Sequence, residues 1–250
     1  MEGDKQVVLF IDTFTQNFEP QNAQTAFGVL EGPGYTVHIL QVDDGDKQPL
    51  CCGRTHLAHG LVEQAKTKAK RVFTALQPFV EQNIPIIGLE PACLLAIRVD
   101  YKYLGLGDTA ARTTRLAVLF EEFVAREVSA KRFNVTFKSL SEQQEPTLIH
   151  GHCHQKAVGA MKSIRKILKL ILDFKFQLIE SSCCGMAGSF GLENEHNDYS
   201  KAIAELSLLP TIRKNPNANI VANGFSCRHK IKDNTQKQAV HVAILLHNAM

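Results

Sequence analysis

The chain has 250 residues, a formal net charge of +3 and 44% hydrophobic residues, which is typical of a globular protein with one or two sizeable cores. Acidic and basic residues are both spread along it, so neither nucleic acid nor an anionic membrane surface is indicated as a partner. No run of about eighteen apolar residues occurs, and the start, "MEGDKQVVLFIDTF", does not resemble a signal peptide. We therefore expect no transmembrane segment and a cytoplasmic location.

The first half of the chain alternates short apolar runs with helical patterns. "VLFIDTFTQ" and "YTVHILQV" predict two strands, and the second leads towards the doublet of Cys51 and Cys52. The amphipathic stretch at residues 56–82 predicts one long helix that begins just past the doublet. A third strand in "IPIIGLEPAC" ends close to Cys93. A helical stretch around "TRLAVLFEEFVAREV" and the polar "KSLSEQQEPT" follow, and we place a boundary there, near residue 144.

The second half repeats this order. "TLIHGHCHQ" matches the first strand, "FQLIES" leads into a second doublet, and "ANIVANGFSC" ends at the last cysteine. Cys93 follows Cys52 by 41 positions, and Cys227 follows Cys184 by 43. The C-terminal "QAVHVAILLHNAM" predicts a helix. The pattern predicts an α/β fold of two tandem, pseudo-symmetric units, residues 1–144 and 145–250, each a small parallel sheet flanked by helices.

The cysteines of the second unit follow three different strands. Seven cysteines without a secretory signal are poorly explained by disulfides. Because ligands of such folds lie beyond the carboxyl ends of the strands, four thiols should meet there: Cys153, Cys183, Cys184 and Cys227. Four thiolates suit an iron–sulfur cluster and also a tetrahedral zinc site. Structural zinc sites usually take their ligands in closely spaced pairs, so the wide spacing favours a cluster.

The first unit is poorer in thiols. Cys51, Cys52 and Cys93 are candidate metal ligands, but the position matching Cys153 is Phe14. Three thiolates could hold a cluster only with a non-cysteine or external fourth ligand, or they are the remnant of a lost site. Both alternatives stay open.

Histidines near the cysteines are candidates as ligands or as hydrogen-bond partners of ligands. His152 and His154 flank Cys153, and His56 and His59 follow the first doublet. His150 carries no signal beyond composition. The sequence contains neither a glycine-rich dinucleotide fingerprint nor a phosphate-binding loop, so we expect a chain that carries electrons without holding the organic cofactor.

The motifs "DTFTQNFEP", "CCGRTHLAHG", "EPACLLAIRVDY", "HGHCHQKA", "SSCCGMAGSFG" and "NGFSCRHKI" together resemble the cysteine-rich, or CCG, domain family. The resemblance covers nearly the whole chain. Members of this family include the cysteine-rich subunit of heterodisulfide reductase, the glycolate oxidase iron–sulfur subunit and lactate-utilisation proteins. The chain is most similar to the C-terminal iron–sulfur portion of FAD-linked oxidases and dehydrogenases of D-2-hydroxy acids.

The family pattern of each domain is a leading cysteine, the doublet and a closing C-x-x-C pair. In the second unit Gly224 stands where the first cysteine of that pair would be, and in the first unit Glu90 does. Neither unit has the five cysteines of the non-cubane clusters associated with heterodisulfide reduction. The resemblance therefore implies one [4Fe–4S] cluster, held by the four cysteines of the second unit.

The resemblance also implies an oxidoreductase component: the electron-transfer module of a flavin-dependent 2-hydroxy-acid oxidoreductase of the glycolate, D-lactate or D-2-hydroxyglutarate type. Such a module passes electrons from a flavin to an acceptor. The flavin domain and ferredoxin-like segment of the large oxidases are absent here, so we expect FAD and substrate on a partner flavoprotein or a missing domain. The alternatives are a structural or zinc-binding interaction module, and heterodisulfide-reductase-like thiol and disulfide chemistry at the doublets.

Overall fold

The computed structural model describes residues 5–41, 45, 48–140 and 145–250. The chain divides into two compact units, Met1–Asn134 and Val135–Met250. The boundary predicted near residue 144 falls on residues 141–144, outside the described ones. The segment just before them packs within the second unit, where Phe137 forms a parallel bridge with Ile171.

The first unit is built on a sheet of parallel strands in the order β2-β1-β3-β4. Its strands are β1 (Gln6–Phe10), β2 (Thr36–Ile39), β3 (Ile86–Gly88) and β4 (Ala117–Leu119). Its helices are α1 (Thr13–Asn17), α2 (Pro20–Glu31), α3 (Arg54–Ala58), α4 (Val62–Glu81), α5 (Pro91–Leu95), α6 (Gly107–Leu116) and α7 (Phe120–Ser129). A π-helical turn (Ala96–Asp100) and a 3-10 turn (Tyr101–Tyr103) connect α5 to α6.

The second unit repeats this topology, with parallel strands in the order β6-β5-β7-β8. Its strands are β5 (Thr147–His150), β6 (Phe176–Leu178), β7 (Ile220–Ala222) and β8 (Ala239–Val240). Its helices are α8 (Cys153–Ala157), α9 (Met161–Leu168), α10 (Asn197–Glu205), α11 (Leu208–Lys214), α12 (Phe225–Thr235) and α13 (Val242–Asn248). Two 3-10 turns (Phe190–Leu192 and Asn194–His196) precede α10.

The central strands are buried because helices cover both faces of a parallel sheet. Val7, Val8 and Leu9 of β1 are inaccessible to solvent, and Leu148 and Ile149 of β5 are nearly so. The predicted fold class, two small parallel sheets flanked by helices, is confirmed. The cysteines follow the carboxyl ends of the strands, the edge at which parallel α/β sheets bind ligands.

Three predicted elements differ from the structure. The single helix at residues 56–82 is wrong: α3 ends at Ala58 and α4 begins at Val62, because Gly60 lies between them in the left-handed conformation (φ 73°). The helical stretch around residues 114–128 is interrupted by β4, which pairs with β3. The C-terminal helix forms as α13, but β8 takes its predicted start.

None of the helices in the described part of the chain is long and apolar enough to cross a bilayer.

Candidate metal centre

Cys153 is held at the start of α8, directly beyond β5. His152 caps this helix: its Nδ1 accepts a hydrogen bond from the His154 N–H (3.1 Å), and its own N–H donates to the Gln155 side chain (2.9 Å). A helix N-terminus carries a partial positive charge, which favours a thiolate. The buried ring of His152 therefore orients the leading cysteine.

The second doublet is shaped by the glycine that follows it. Gly185 has a left-handed backbone (φ +85°), which turns its N–H back onto the Cys183 sulfur at 3.2 Å. A Cβ atom at Gly185 would lie 2.1 Å from the backbone oxygen of Ser200, so only glycine fits against α10. The turn leaves Cys183 half-buried and Cys184 buried. The doublet thus presents one thiol near the surface and one in the interior.

Cys227 lies in the first turn of α12, just beyond β7. It is 1% exposed and belongs, with Cys184, to a buried apolar cluster that includes Leu148, Ile220 and Ile231. Among the described residues, Cys184 and Cys227 lie in one group of potential metal ligands. Cys183 contacts Cys184, and Cys153 contacts Cys183.

The four thiols form a connected series of contacts. Cys183 accepts from Cys153 and from Cys184, which lowers the pKa of Cys183. The contact with Cys184 likewise lowers the pKa of Cys227, against the opposing effect of burial. Donating to Cys183 raises the pKa of Cys153, with burial as the second cause. The same donation, followed by the contact with Cys227, raises the pKa of Cys184. A set of thiols this close is ready to share one metal centre.

Cationic and imidazole groups surround these thiols. The Lys156 ammonium donates to the carbonyls of Ser181 and Ser182, and its charge acts on the thiols of the site. Lys230 is buried, donates to the Ser200 hydroxyl (2.6 Å) and acts on Cys184. Such charges compensate the negative charge of thiolates and of an anionic cluster.

His150, at the end of β5, is a site residue that the sequence analysis missed. It is 1% exposed, and a ring nitrogen of His150 and the sulfur atoms of Cys184 and Cys227 all lie within 4.8 Å of one another. A polar residue that ends a buried strand, three positions before a predicted ligand, was the available signal.

The first unit brings its three thiols together at the equivalent edge. Gly53 is left-handed (φ 72°) and its N–H points at the Cys51 sulfur (3.5 Å), as in the second doublet. Cys52 contacts both Cys51 and Cys93. Tyr101, which is fully buried, donates its hydroxyl to the Cys52 carbonyl (2.9 Å). The turn of the doublet is therefore the same in both units.

The residue of the first unit that is equivalent to Cys153 is Thr13. The match between the two halves of the sequence predicts Phe14 instead. Asp12 caps α1 as His152 caps α8, so the first helical residue is Thr13 in one unit and Cys153 in the other. The strand pairing agrees, because Val8 pairs with β3 as Leu148 pairs with β7. Thr13 makes a hydrogen bond with Cys51. A hydroxyl thus replaces the fourth thiol.

The charges around the first site also differ. The hydrogen bond from Cys52 lowers the pKa of Cys93, but burial and the nearby carboxyl groups of Asp12 and Glu90 outweigh it and raise that pKa to about 11. Asp12 and Glu90 are themselves buried, as helix caps. The first unit therefore opposes the thiolate state at Cys93.

The fifth cysteine of the family pattern has no room in the second unit. A Cβ atom at Gly224 would lie 2.4 Å from the His152 ring and 3.1 Å from the Cys227 sulfur. In the first unit Glu90 occupies that position and caps α5. A five-thiolate centre does not fit here unless His152 moves.

The other candidate histidines are placed differently. His154 follows Cys153 on α8 and is half-buried, with its ring 5.1 Å from that of His152. His56 lies within α3, and His59 is exposed at the end of that helix. Among the described residues, the histidine that lies in one group of potential metal ligands with Cys184 and Cys227 is His150, and not one of these three.

The donor set of the second unit fits an iron–sulfur cluster. It offers four soft ligands, nearby cations and the buried Nε2 of His150 beside the thiols, an atom that makes no hydrogen bond of ordinary geometry among the residues that the structure describes. The three thiols of the first unit, with their carboxylate neighbours, do not fit as well.

Residues 147–232 match the sequence profile of the cysteine-rich domain family, CCG. All four cysteines of the second unit lie within that range. The resemblance that the motifs predict is confirmed.

Several curated proteins are similar to most of the chain. D-2-hydroxyglutarate dehydrogenase of Pantoea ananatis is 24% identical over 229 residues, which cover 91% of this chain and 21% of that protein. One subunit of the anaerobic glycerol-3-phosphate dehydrogenase of Escherichia coli is 24% identical over 246 residues, or 98% of this chain and 59% of that protein. Lactate utilization protein A 2 of Bacillus cereus is 22% identical over 250 residues, or 96% and 97%.

The chain thus spans 21% and 59% of the length of the two dehydrogenase relatives. Because those relatives are a dehydrogenase and a dehydrogenase subunit, the comparisons support an oxidoreductase component in general terms.

Proposed function

We propose that the chain is an iron–sulfur electron-transfer module of a flavin-dependent 2-hydroxy-acid oxidoreductase. The observation that carries this proposal is the meeting of four thiols from three strand ends, Cys153, Cys183, Cys184 and Cys227, among compensating cations. They would hold one [4Fe–4S] cluster. When bound, such a cluster supplies a centre that takes up and releases one electron at a time.

The chain's own residues would set the environment of that centre. Cys184 and Cys227 would anchor it to the apolar core, and the half-buried Cys153 and Cys183 would complete the ligand set on the outer side. The Gly185 N–H, which already points at the Cys183 sulfur, would donate to it as a ligand and stabilise its negative charge.

The first unit, in this proposal, holds no cluster. Thr13 offers a hydroxyl in place of the fourth thiolate, and the carboxyl groups of Asp12 and Glu90 oppose further negative charge near Cys93. Its role is structural, as the companion domain of the one that binds metal.

Substrate and flavin belong, in this proposal, to a partner flavoprotein or to a further domain. The names of the relatives point to substrates with a hydroxyl group on carbon, two of them 2-hydroxy acids. Electrons would leave the substrate through the partner's flavin and reach an acceptor by way of this chain. Seven free thiols are consistent with a reducing, cytoplasmic location.

The test is metal analysis of the full chain after anaerobic purification. We expect about four irons and four sulfides per chain, and an electron paramagnetic resonance signal after reduction. About eight irons would give the first unit a cluster as well. Zinc, or no metal after reconstitution, would contradict the proposal and favour the structural or zinc-binding alternative.

A pair of variants locates the cluster. Cys183→Ser should lose most of the iron, because a hydroxyl is a poor substitute for a soft thiolate ligand. Cys51→Ser, at the same position of the first doublet, is the matched control and should keep about four irons. Circular dichroism should show the same helix content in both. Full iron in Cys183→Ser would rule out the ligand assignment.

A further variant, Cys184→Ser, tests the thiol–disulfide alternative. If the chain catalysed thiol–disulfide exchange at the doublets, Cys184→Ser would abolish that turnover. In that case neither the wild-type chain nor the variants would contain metal.

A further inference from the structure

His150 lies beside the two buried cysteines of the second unit. It is the last residue of β5, it is 1% exposed, and one of its ring nitrogens lies within 4.8 Å of the sulfur atoms of both Cys184 and Cys227. The four cysteines already supply a complete ligand set, so this histidine has a different task from theirs.

The two ring nitrogens of His150 have different surroundings. Nδ1 lies 3.0 Å from the Ser181 hydroxyl oxygen. Nε2 is buried, and it makes no hydrogen bond of ordinary geometry within the part of the chain that the structure describes. Since Nδ1 is engaged by Ser181, Nε2 is the nitrogen available to the sulfur atoms. A buried polar atom left without a partner is costly, so a partner at the metal centre is expected.

The contact of Lys156 with Ser181 favours one position of the proton on His150. The Lys156 ammonium, which can only donate, lies 3.3 Å from the Ser181 hydroxyl oxygen. That oxygen accepts from Lys156, so the hydroxyl proton is free to be donated to Nδ1 of His150. A neutral imidazole that accepts at Nδ1 carries its proton on Nε2. The hydrogen bonds from Lys156 to Ser181 and from Ser181 to His150 thus leave the His150 proton on Nε2, on the side of the cysteines.

We propose that His150 is a positioning residue of the metal centre, whose Nε2–H donates to the sulfur ligand Cys227, beside Cys184. Hydrogen bonds to ligand sulfur stabilise the added negative charge of the reduced centre and raise its reduction potential. The inference rests on the proposed function, because it assigns a residue to the same centre.

Direct ligation of metal by His150 would require the opposite tautomer. Nδ1–H would then donate to the Ser181 oxygen, which already receives Lys156, and the hydroxyl proton would need an acceptor elsewhere. The observed series is satisfied without that rearrangement, which favours the donor role.

The first experiment compares reduction potentials of the cluster-loaded full chain. His150→Leu keeps the volume but removes the donor, and it should give a more negative midpoint potential with iron still bound. His150→Gln restores an N–H and should return the potential towards the wild-type value. His247→Leu changes an exposed histidine of α13 and is the control. A wild-type potential in His150→Leu, or equal potentials in the Leu and Gln variants, would overturn the proposal.

The second experiment reads the tautomer directly. In the metal-free full chain labelled with nitrogen-15 in histidine, nuclear magnetic resonance should show His150 protonated at Nε2, and Ser181→Ala should relax that preference. Protonation at Nδ1 would overturn the donor role even if the Leu variant loses iron. Failure of the proposed function is separate, because it would appear as a wild-type chain that holds no iron.

Discussion

Gly185→Ala tests whether the second doublet depends on its glycine. The substitution adds one methyl group at a left-handed backbone position, φ +85°, which costs a non-glycine residue about 1 kcal/mol. The new Cβ would also lie 2.1 Å from the backbone oxygen of Ser200. A backbone atom cannot rotate away as a side chain can, and α10 is held in place by the bond from Lys230 to Ser200.

The strain of this contact adds to the cost of the backbone. Forcing a methyl group into a packed site typically costs about 1–3 kcal/mol, so the total is about 2–4 kcal/mol. With a urea dependence of about 2 kcal/mol per molar, the unfolding midpoint should fall by about 1–2 M. The variant should also bind less iron, because the Gly185 N–H no longer reaches the Cys183 sulfur.

Gly188→Ala is the matched control for Gly185→Ala. Gly188 has a similar backbone angle, φ +73°, but a Cβ there meets no atom within 4 Å. Its cost should be limited to the backbone, about 1 kcal/mol, and its iron content should be unchanged. Urea unfolding followed by circular dichroism gives the unfolding midpoints of the two variants, since the chain has no tryptophan. Equal midpoints for the two variants would refute the argument from the Ser200 contact.

Two further predictions concern the first unit. Burial raises the pKa of Glu127, but hydrogen bonds from Arg132, Tyr35 and Arg126 outweigh it and lower the pKa from 4.5 to about 2. This stabilisation is present above pH 4.5 and lost as the pH falls towards 2, so the stability difference between wild type and Arg132→Met should narrow over that range in urea titrations. Tyr101→Phe removes the donor to the Cys52 carbonyl and should cost about 1–2 kcal/mol of stability, with no change in iron content.

The strands that precede the cysteines could be predicted from the sequence. β3 (Ile86–Gly88) and β7 (Ile220–Ala222), for example, are short apolar runs that end a few residues before Cys93 and Cys227. The strands β4 and β8 were not predicted, because three and two residues inside a helical pattern carry no periodicity of their own. Pairing with a neighbouring strand decides their conformation, and pairing is not visible along a single sequence.

The sequence predicts the candidate site as a set of residues but not as a geometry. The four cysteines of the second unit were identified from their places after strands. The match of Cys153 with Phe14 was wrong by one residue, because the count began from apolar runs whose register is fixed only by strand pairing. His150 was missed because its role depends on Ser181, which is 31 positions away in the sequence.

The thiols of the second unit are not equally reachable. Cys184 and Cys227 belong to a buried apolar cluster, whereas Cys153 and Cys183 are half-buried. If the chain holds the proposed iron–sulfur cluster, whatever delivers iron and sulfide to the folded chain would therefore have to approach from the side of Cys153 and Cys183.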